Sequence, residues 1–156
     1  MEKGQPRNVV NLIANYDLKQ WSFMLRGVRY GEVSTMALGN NAGVNQATIA
    51  ALTPGYDVTL VDPVPGSPAG NKQVIQTFAA KWITDFDVTY RIQKGLSVSL
   101  GANNLFNVYP TENIRSKVVG GVAFSGSDNV GIFPYSGISP FGFNGASYYG
   151  KISYKF

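Results

Sequence analysis

The sequence predicts an all-β fold: an antiparallel transmembrane β-barrel segment of about five strands, with short turns at one end and long loops at the other. Three observations predict it. Five segments alternate apolar and polar residues with period two, which gives a strand two unlike faces. The connections between them run short, long, short, long. Only 14% of residues are charged while 13% are aromatic, against about 25% charged in an ordinary soluble domain. Helices are excluded as the spanning elements. The longest charge-free stretch, Val33 to Tyr56, contains Asn40, Asn41, Asn45, Gln46 and Pro54, too polar and too broken for a spanning helix.

The first strand is Asn8 to Tyr16, with Val10, Leu12, Ala14 and Tyr16 on one face and Asn11 and Asn15 on the other. Asp17 to Gln20 follows as a turn. The second strand runs from Trp21 to about Thr35; Trp21, Phe23, Leu25 and Gly27 oppose Ser22, Met24 and Arg26. The stretch 36–73, rich in Gly, Asn and Pro, reads as a large surface loop, with one short helical turn over 46–52 capped by Asn45 and stopped by Pro54-Gly55. The third strand, about Val74 to Ile92, sets Trp82, Thr84, Phe86, Val88, Tyr90 and Ile92 against Ile83, Asp85, Asp87, Thr89 and Arg91. A tight turn at Gln93-Lys94-Gly95 leads into the fourth strand, Leu96 to about Phe106. A second long loop covers 109–143, with a strand extension at Lys117 to Phe124. The last strand, Ala146 to Phe156, carries Tyr148, Gly150, Ile152, Tyr154 and Phe156 on one face.

This layout has a physical meaning. Antiparallel strands joined alternately by short and long connections place all the turns at one end, as outer-membrane barrels do. Each strand has about the ten residues needed to cross the hydrocarbon at a tilt. Trp82 and Tyr90 lie eight residues apart on one face. At about 3.3 Å per residue and a tilt of about 40° their vertical spacing is roughly 20 Å, close to the separation of the two aromatic girdles of a barrel. Trp21, Trp82, Phe86 and Tyr90 are therefore the expected lipid-facing girdle. A soluble β-sandwich, for example a glycan-binding module, also alternates, but it requires Trp82, Phe86 and Tyr90 to be buried. Five strands do not close a membrane barrel, and open edges in lipid cost several kcal/mol per unpaired group. The chain is thus expected to be part of something larger or to pool strands with other copies as a small structural outer-membrane protein.

Composition narrows the chemistry. There is no Cys and no His, which removes disulfides, zinc fingers, His-ligated metals and His- or Cys-based nucleophile systems. The net charge of +4 comes from scattered basic residues, whereas a nucleic-acid footprint is clustered. No catalytic site, cofactor site or metal site is expected. Asp85 and Asp87 sit two apart on the polar face and read as carboxylates balanced by Arg91 and by Arg26 or Arg29, in preference to an acid–base pair or a cation site. Asn103 and Asn104 mark the end of the fourth strand. Phe133, Tyr135, Phe141 and Phe143 form a candidate ligand vestibule among the loops.

Two segments carry a family resemblance. One is Trp82-Ile83-Thr84-Asp85-Phe86-Asp87-Val88-Thr89-Tyr90 followed by Gly101-Ala102-Asn103-Asn104-Leu105-Phe106-Asn107; the other is the tail from Ser139 to Phe156. Over residues 8–156 the chain resembles the C-terminal end of TonB-dependent outer-membrane receptors, and the Asn-Leu-Phe-Asn match is its most specific element. The resemblance implies the last five strands of a 22-stranded barrel, located in the outer membrane of a Gram-negative bacterium. It implies TonB-energised uptake of a scarce nutrient such as an iron chelate (siderophore uptake). The implied partners are outer-membrane lipid, the remainder of the barrel and its plug, and the barrel-assembly machinery. The TonB complex is reached only through the plug, which these residues lack. It further implies that the assembly machinery reads Tyr148, Ile152, Tyr154 and the terminal Phe156, by pairing with an open strand edge and seating alternate side chains. The short turns are then periplasmic and the long loops extracellular. A segment with neither plug nor export signal is expected to be a fragment of a longer receptor and not an autonomous transporter.

Overall fold

The computed structural model describes residues 5–39, 54–61, 72–113, 118–119, 122–123, 134–135 and 139–155. These form β1 (Val9–Leu18), β2 (Trp21–Tyr30), β3 (Val33–Gly39), β4 (Asp57–Val61), β5 (Lys72–Phe78), β6 (Lys81–Gln93), β7 (Leu96–Asn103), β8 (Val118–Val119), β9 (Val122–Ala123) and β10 (Ser147–Tyr154), with no helix among the described residues. The chain is all-β and its sheets are antiparallel. It divides into two units, one of Asn8–Gly31, Ala80–Tyr109 and Phe143–Phe156, the other of Met1–Arg7, Glu32–Ala79 and Pro110–Gly142.

The first unit is a five-stranded sheet in the order β1-β2-β6-β7-β10, built from the five segments whose alternation marks them as strands. Register follows from that alternation, because a slip of one residue would exchange the two faces. The pairs Tyr16↔Phe23, Phe23↔Val88, Val88↔Leu100 and Leu100↔Gly150 run across the sheet in one row. Apolar residues therefore meet apolar residues on all five strands. The turn between β1 and β2 is only Lys19-Gln20, with Lys19 at φ 54°. The turn between β6 and β7 is Lys94-Gly95, with Gly95 at φ 87°. A β-bulge between Arg91 and Gln93 takes Ile92 out of the ladder, ending the alternation expected to continue through it.

All five expected strands differ at a boundary: the first runs on to Leu18, because Asp17 and Leu18 of the expected turn pair with Ser22 and Trp21, and the last is Ser147–Tyr154. The second strand stops at Tyr30, and Val33–Gly39 belongs to another sheet. The third expected strand is two strands, β5 and β6, divided at Ala79-Ala80. The interruptions are Gly31-Glu32 on one side and Ala79-Ala80 on the other, where Gly31, Ala79 and Ala80 supply little of the cross-strand packing that holds a ladder. The fourth strand ends at Asn103, before Phe106.

The second unit contains a three-stranded sheet in the order β3-β5-β4. The stretch expected to be a large loop thus carries β4 and the ends of two further strands; the expected helical turn at 46–52 lies outside the described residues. Val58 and Gln76 are buried in this sheet. Gln76 donates its side-chain amide to the carbonyl of Glu112 (2.7 Å), and the Tyr56 hydroxyl donates to the Glu112 carboxylate (2.7 Å). A two-stranded ladder of β8 and β9 falls within the strand extension expected at 117–124.

Candidate functional site

The five-stranded sheet carries most of its large apolar side chains on one face, and along its edge strands β1 and β10 both faces are exposed. Along the strands the apolar face presents Val10, Leu12, Ala14, Tyr16 and Leu18, then Trp21, Phe23 and Leu25, then Phe86, Val88 and Tyr90, then Val98 and Leu100, then Tyr148, Ile152 and Tyr154. Leu12 is 58% exposed, Leu100 61%, Tyr148 73% and Ile152 76%. Five strands at about 4.8 Å spacing and about 26 Å along the strands make this a band of about 600 Å², the upper limit of apolar patches on ordinary monomers.

Its aromatic residues are organised. At the turn end Trp21 lies 4.6 Å from Tyr90 and 6.1 Å from Phe23, ring centre to ring centre, and Tyr16 lies 6.4 Å from Phe23. The Tyr90 hydroxyl donates to Gln20 in the turn (2.8 Å). This gives a belt with a polar tip toward the turns and an apolar body on the band, the arrangement that suits a membrane interface. Trp82 sits at the other end and is 46% exposed, in van der Waals reach of the Gly27 position. Phe86 and Tyr90 are half-buried.

The opposite face carries most of the charged side chains, together with the exposed Val9 and Ile13 and the buried Val28 and Ile83, and several of its polar groups are bonded to one another. Asp85 meets its cross-strand partner Arg26 (3.6 Å) and accepts from the backbone N–H of Asn104 (2.9 Å); its side chain is only 14% exposed. Asp87 accepts from Thr89 (3.1 Å) and from the Tyr149 hydroxyl (3.0 Å). Thr89 and Ser99 share a hydrogen bond (2.8 Å). Arg91 turns away from both carboxylates expected for it and reaches Asp17 (3.5 Å) and Ser22 (2.9 Å), while Ser22 also donates to Asp17. Arg29 donates to Asn8 (3.2 Å). Of the expected counter-charges only Arg26 serves the carboxylates, because the cross-strand register sets it opposite Asp85. No group of three or more acidic side chains placed to hold a metal occurs among the described residues.

Two arrangements were not anticipated. Tyr149, Gly101 and Asp87 share one row across β10, β7 and β6. A side chain on Gly101 would collide with the Tyr149 ring, so the glycine lets Tyr149 cross β7 and bind a carboxylate two strands away. The legible signal was a lone glycine in the middle of an otherwise regular strand. The Asn-Leu-Phe-Asn segment is a locked corner. Asn104 and Asn107 have φ of 52° and 55°, a region Asn tolerates better than other side chains. The Asn104 side chain accepts from the N–H of Val108 (2.9 Å) and donates to its carbonyl (2.7 Å). Leu105 N–H reaches Thr84 O (2.7 Å), and Asn107 accepts from Ala146 N–H (2.9 Å), tying the corner to β6 and to the lead-in of β10.

Tyr148, Ile152 and Tyr154 occupy alternate positions of β10 and are exposed; Phe156 lies outside the described residues. Of the candidate vestibule, Phe133 also lies outside them. Tyr135 and Phe141 belong to one unit and Phe143 to the other, and all three are half-buried. At the turn end a cavity of about 550 Å³ is lined by Lys19, Arg91, Lys94 and Lys155 together with Ser97 and Ser153. No known family, characterised protein or solved structure matches the chain.

Proposed function

We propose that this chain forms C-terminal strands of a TonB-dependent receptor barrel in the outer membrane of a Gram-negative bacterium. The receptor takes up a scarce nutrient, such as an iron chelate, and this segment contributes wall and not catalysis. The observation that carries the reading is the exposure of large apolar side chains on one face of the five-stranded sheet, Leu12, Trp21, Leu25, Leu100, Tyr148 and Ile152 among them, while Arg26 and Asp85, Asp87, Thr89, Ser99 and Tyr149 of the other face are bonded to one another. Water as the solvent of the apolar face would forgo about 1.5–3 kcal/mol for each large side chain left uncovered. Hydrocarbon removes that cost, and a polar lumen accommodates the other face.

The Asn104–Asn107 corner and the alternating last strand support the family reading. With the short turns at the periplasmic end, the long connections emerge outside, where a nutrient is met. On this reading the remainder of the barrel and the plug complete the pore, the TonB complex acts through the plug, and the assembly machinery pairs with the last strand ending in Phe156.

The test is an immunoblot of outer-membrane fractions from the source cells, with an antibody against the peptide Thr111 to Val119. A band several times larger than 16.8 kDa in that fraction is the expected result. A band only in the soluble fraction refutes the membrane reading.

A further inference from the structure

We propose that the cavity at the turn end of the five-stranded sheet binds a phosphate group, carried by a soluble phosphorylated compound or by a lipid headgroup. The inference goes beyond the proposed function and does not depend on it, because this sheet alone supplies the site.

Lys19, Arg91, Lys94 and Lys155 lie far apart along the sequence, and strand pairing gathers them around one cavity. Lys19 is in the turn between β1 and β2, and Lys94 in the turn between β6 and β7. The backbone N–H of Arg91 donates to the carbonyl of Gln20 (2.9 Å), which sets the first turn beside the end of β6. The N–H of Lys155, just after β10, donates to the carbonyl of Gly95 (2.8 Å) in the second turn. Arg91, Ser97 and Ser153 are partners in one row across β6, β7 and β10. At about 4.8 Å between strands that row is about 10 Å wide. A guanidinium and two hydroxyls thus line the cavity together with three lysines.

The charges are not balanced from within. No carboxylate lines the cavity among the described residues. Asp17 accepts from Arg91 (3.5 Å) and from Ser22, and so offsets one of the four positive charges. Both side-chain contacts of Arg91, to Asp17 and to Ser22, use Nη2, which leaves the N–H groups of Nε and Nη1 to a ligand. Lys19, Lys94 and Lys155 have no acidic partner among the described residues, and the hydroxyls of Ser97 and Ser153 have no hydrogen-bond partner there. A cleft lined by one sign of charge draws the opposite sign into it. A carboxylate would bring one charge and two oxygens to these groups. A phosphate monoester brings close to two charges and three strong acceptor oxygens. It suits a guanidinium fork, and lysines and hydroxyls serve the oxygens that remain. The cavity of about 550 Å³ is in the range of small-molecule sites, roughly 300–1,000 Å³, so it holds a phosphorylated compound and not only the bare ion.

The test uses the full 156-residue chain in a nonionic detergent, at about 0.15 M sodium chloride, where charges beyond about 8 Å are screened. Calorimetric titration with glycerol 3-phosphate reads the soluble source. Co-sedimentation with phosphatidylcholine vesicles, with and without phosphatidic acid, reads the lipid source. Two double variants remove equal charge: Lys94→Gln with Lys155→Gln at the cavity, and Arg29→Gln with Lys81→Gln at the other end of β2 and β6. The native chain is expected to bind glycerol 3-phosphate; loss of two charge-assisted contacts should weaken binding about tenfold or more, and the distant pair should change it less than about twofold. Lys19→Gly is expected to weaken binding while its urea midpoint rises, since glycine relaxes the left-handed φ of 54°; a damaged fold would lower both. Binding only to vesicles that contain phosphatidic acid, lost in the cavity variant alone, supports the site and assigns the phosphate to a lipid headgroup. Binding of neither probe, or equal losses in the two double variants, overturns the proposal. The immunoblot decides the barrel reading separately, so the failure of one is not the failure of the other.

Discussion

Replacing Leu25 with arginine distinguishes lipid from water as the medium of the apolar face. Leu25 lies four residues along β2 from Trp21. At about 3.3 Å per residue and a tilt of about 40°, that places it roughly 10 Å from the turn-end belt, the middle of a band roughly 20 Å tall. It is 49% exposed. At such a position on a soluble sheet, a substitution by arginine changes stability by no more than about 0.5 kcal/mol. At the bilayer midplane it costs about 2–4 kcal/mol, or about 30- to 1,000-fold in the folding equilibrium. The neighbouring Met24→Arg is the control. Met24 is on the polar face opposite Asp87, so its replacement adds a cation beside a carboxylate and is expected to stay within about 1 kcal/mol of wild type. The assay is urea unfolding of the protein in phospholipid vesicles, followed by the fluorescence of Trp21 and Trp82. If Leu25→Arg costs no more than Met24→Arg, the face assignment is refuted.

Gly101→Val is expected to destabilise by about 2–3 kcal/mol, because it displaces Tyr149 and removes a hydrogen bond to a carboxylate; the same titration in a double-mutant cycle with Tyr149→Phe should show the two effects largely overlapping. Gly95→Ala is expected to lose about 1–2 kcal/mol through its φ of 87°, plus the cost of crowding the Lys155 carbonyl, 2.7 Å from the new Cβ. Lys19→Gly acts in the opposite sense. It relieves a left-handed lysine at φ 54° and should raise stability by about 0.5–1 kcal/mol, read as a higher urea midpoint. If the proposed receptor reading holds, deleting Phe156 from a full-length receptor that ends in this segment should lower its outer-membrane level on a quantitative immunoblot, because that reading makes Phe156 one of the alternate side chains seated on pairing with the assembly machinery.

The strands were legible where two faces differ sharply. Trp82 to Tyr90 alternates so cleanly that the strand and its two faces follow from it, and the same holds for Leu96 to Ala102; their partners and register come only with the pairing. Legibility failed where local chemistry is ambiguous. Asp57 to Val61 is a short run rich in β-branched residues, but the flanking Pro54-Gly55 and Pro63 read as loop; only pairing with β5 makes it a strand, and pairing is a long-range fact. The break at Ala79-Ala80 is invisible for a related reason, since alanine neither enforces nor forbids extension. The carboxylates show the limit of reasoning by charge alone. Sequence proximity suggests Arg91 as a partner for Asp87, whereas register puts Arg26 opposite Asp85 and leaves Arg91 to the turn.

The same register decides what the carboxylates of the polar face are bonded to. A carboxylate pair becomes chemically useful when its lone pairs await a proton, a metal or a substrate. Here Asp85 is committed to Arg26 and to the backbone of Asn104, and Asp87 to Thr89 and Tyr149. The bonds to Arg26 and Tyr149 cross between strands and the bond to Asn104 fixes a corner, so the carboxylates act as rivets of the sheet. Freeing one for chemistry would sacrifice charge-assisted hydrogen bonds worth about 1.5–3 kcal/mol each. The strand that supplies them also supplies Phe86, Val88 and Tyr90 to the apolar face. A single alternating sequence thus fixes the sheet internally on one side and leaves large apolar side chains exposed on the other, the side that the proposed function gives to lipid.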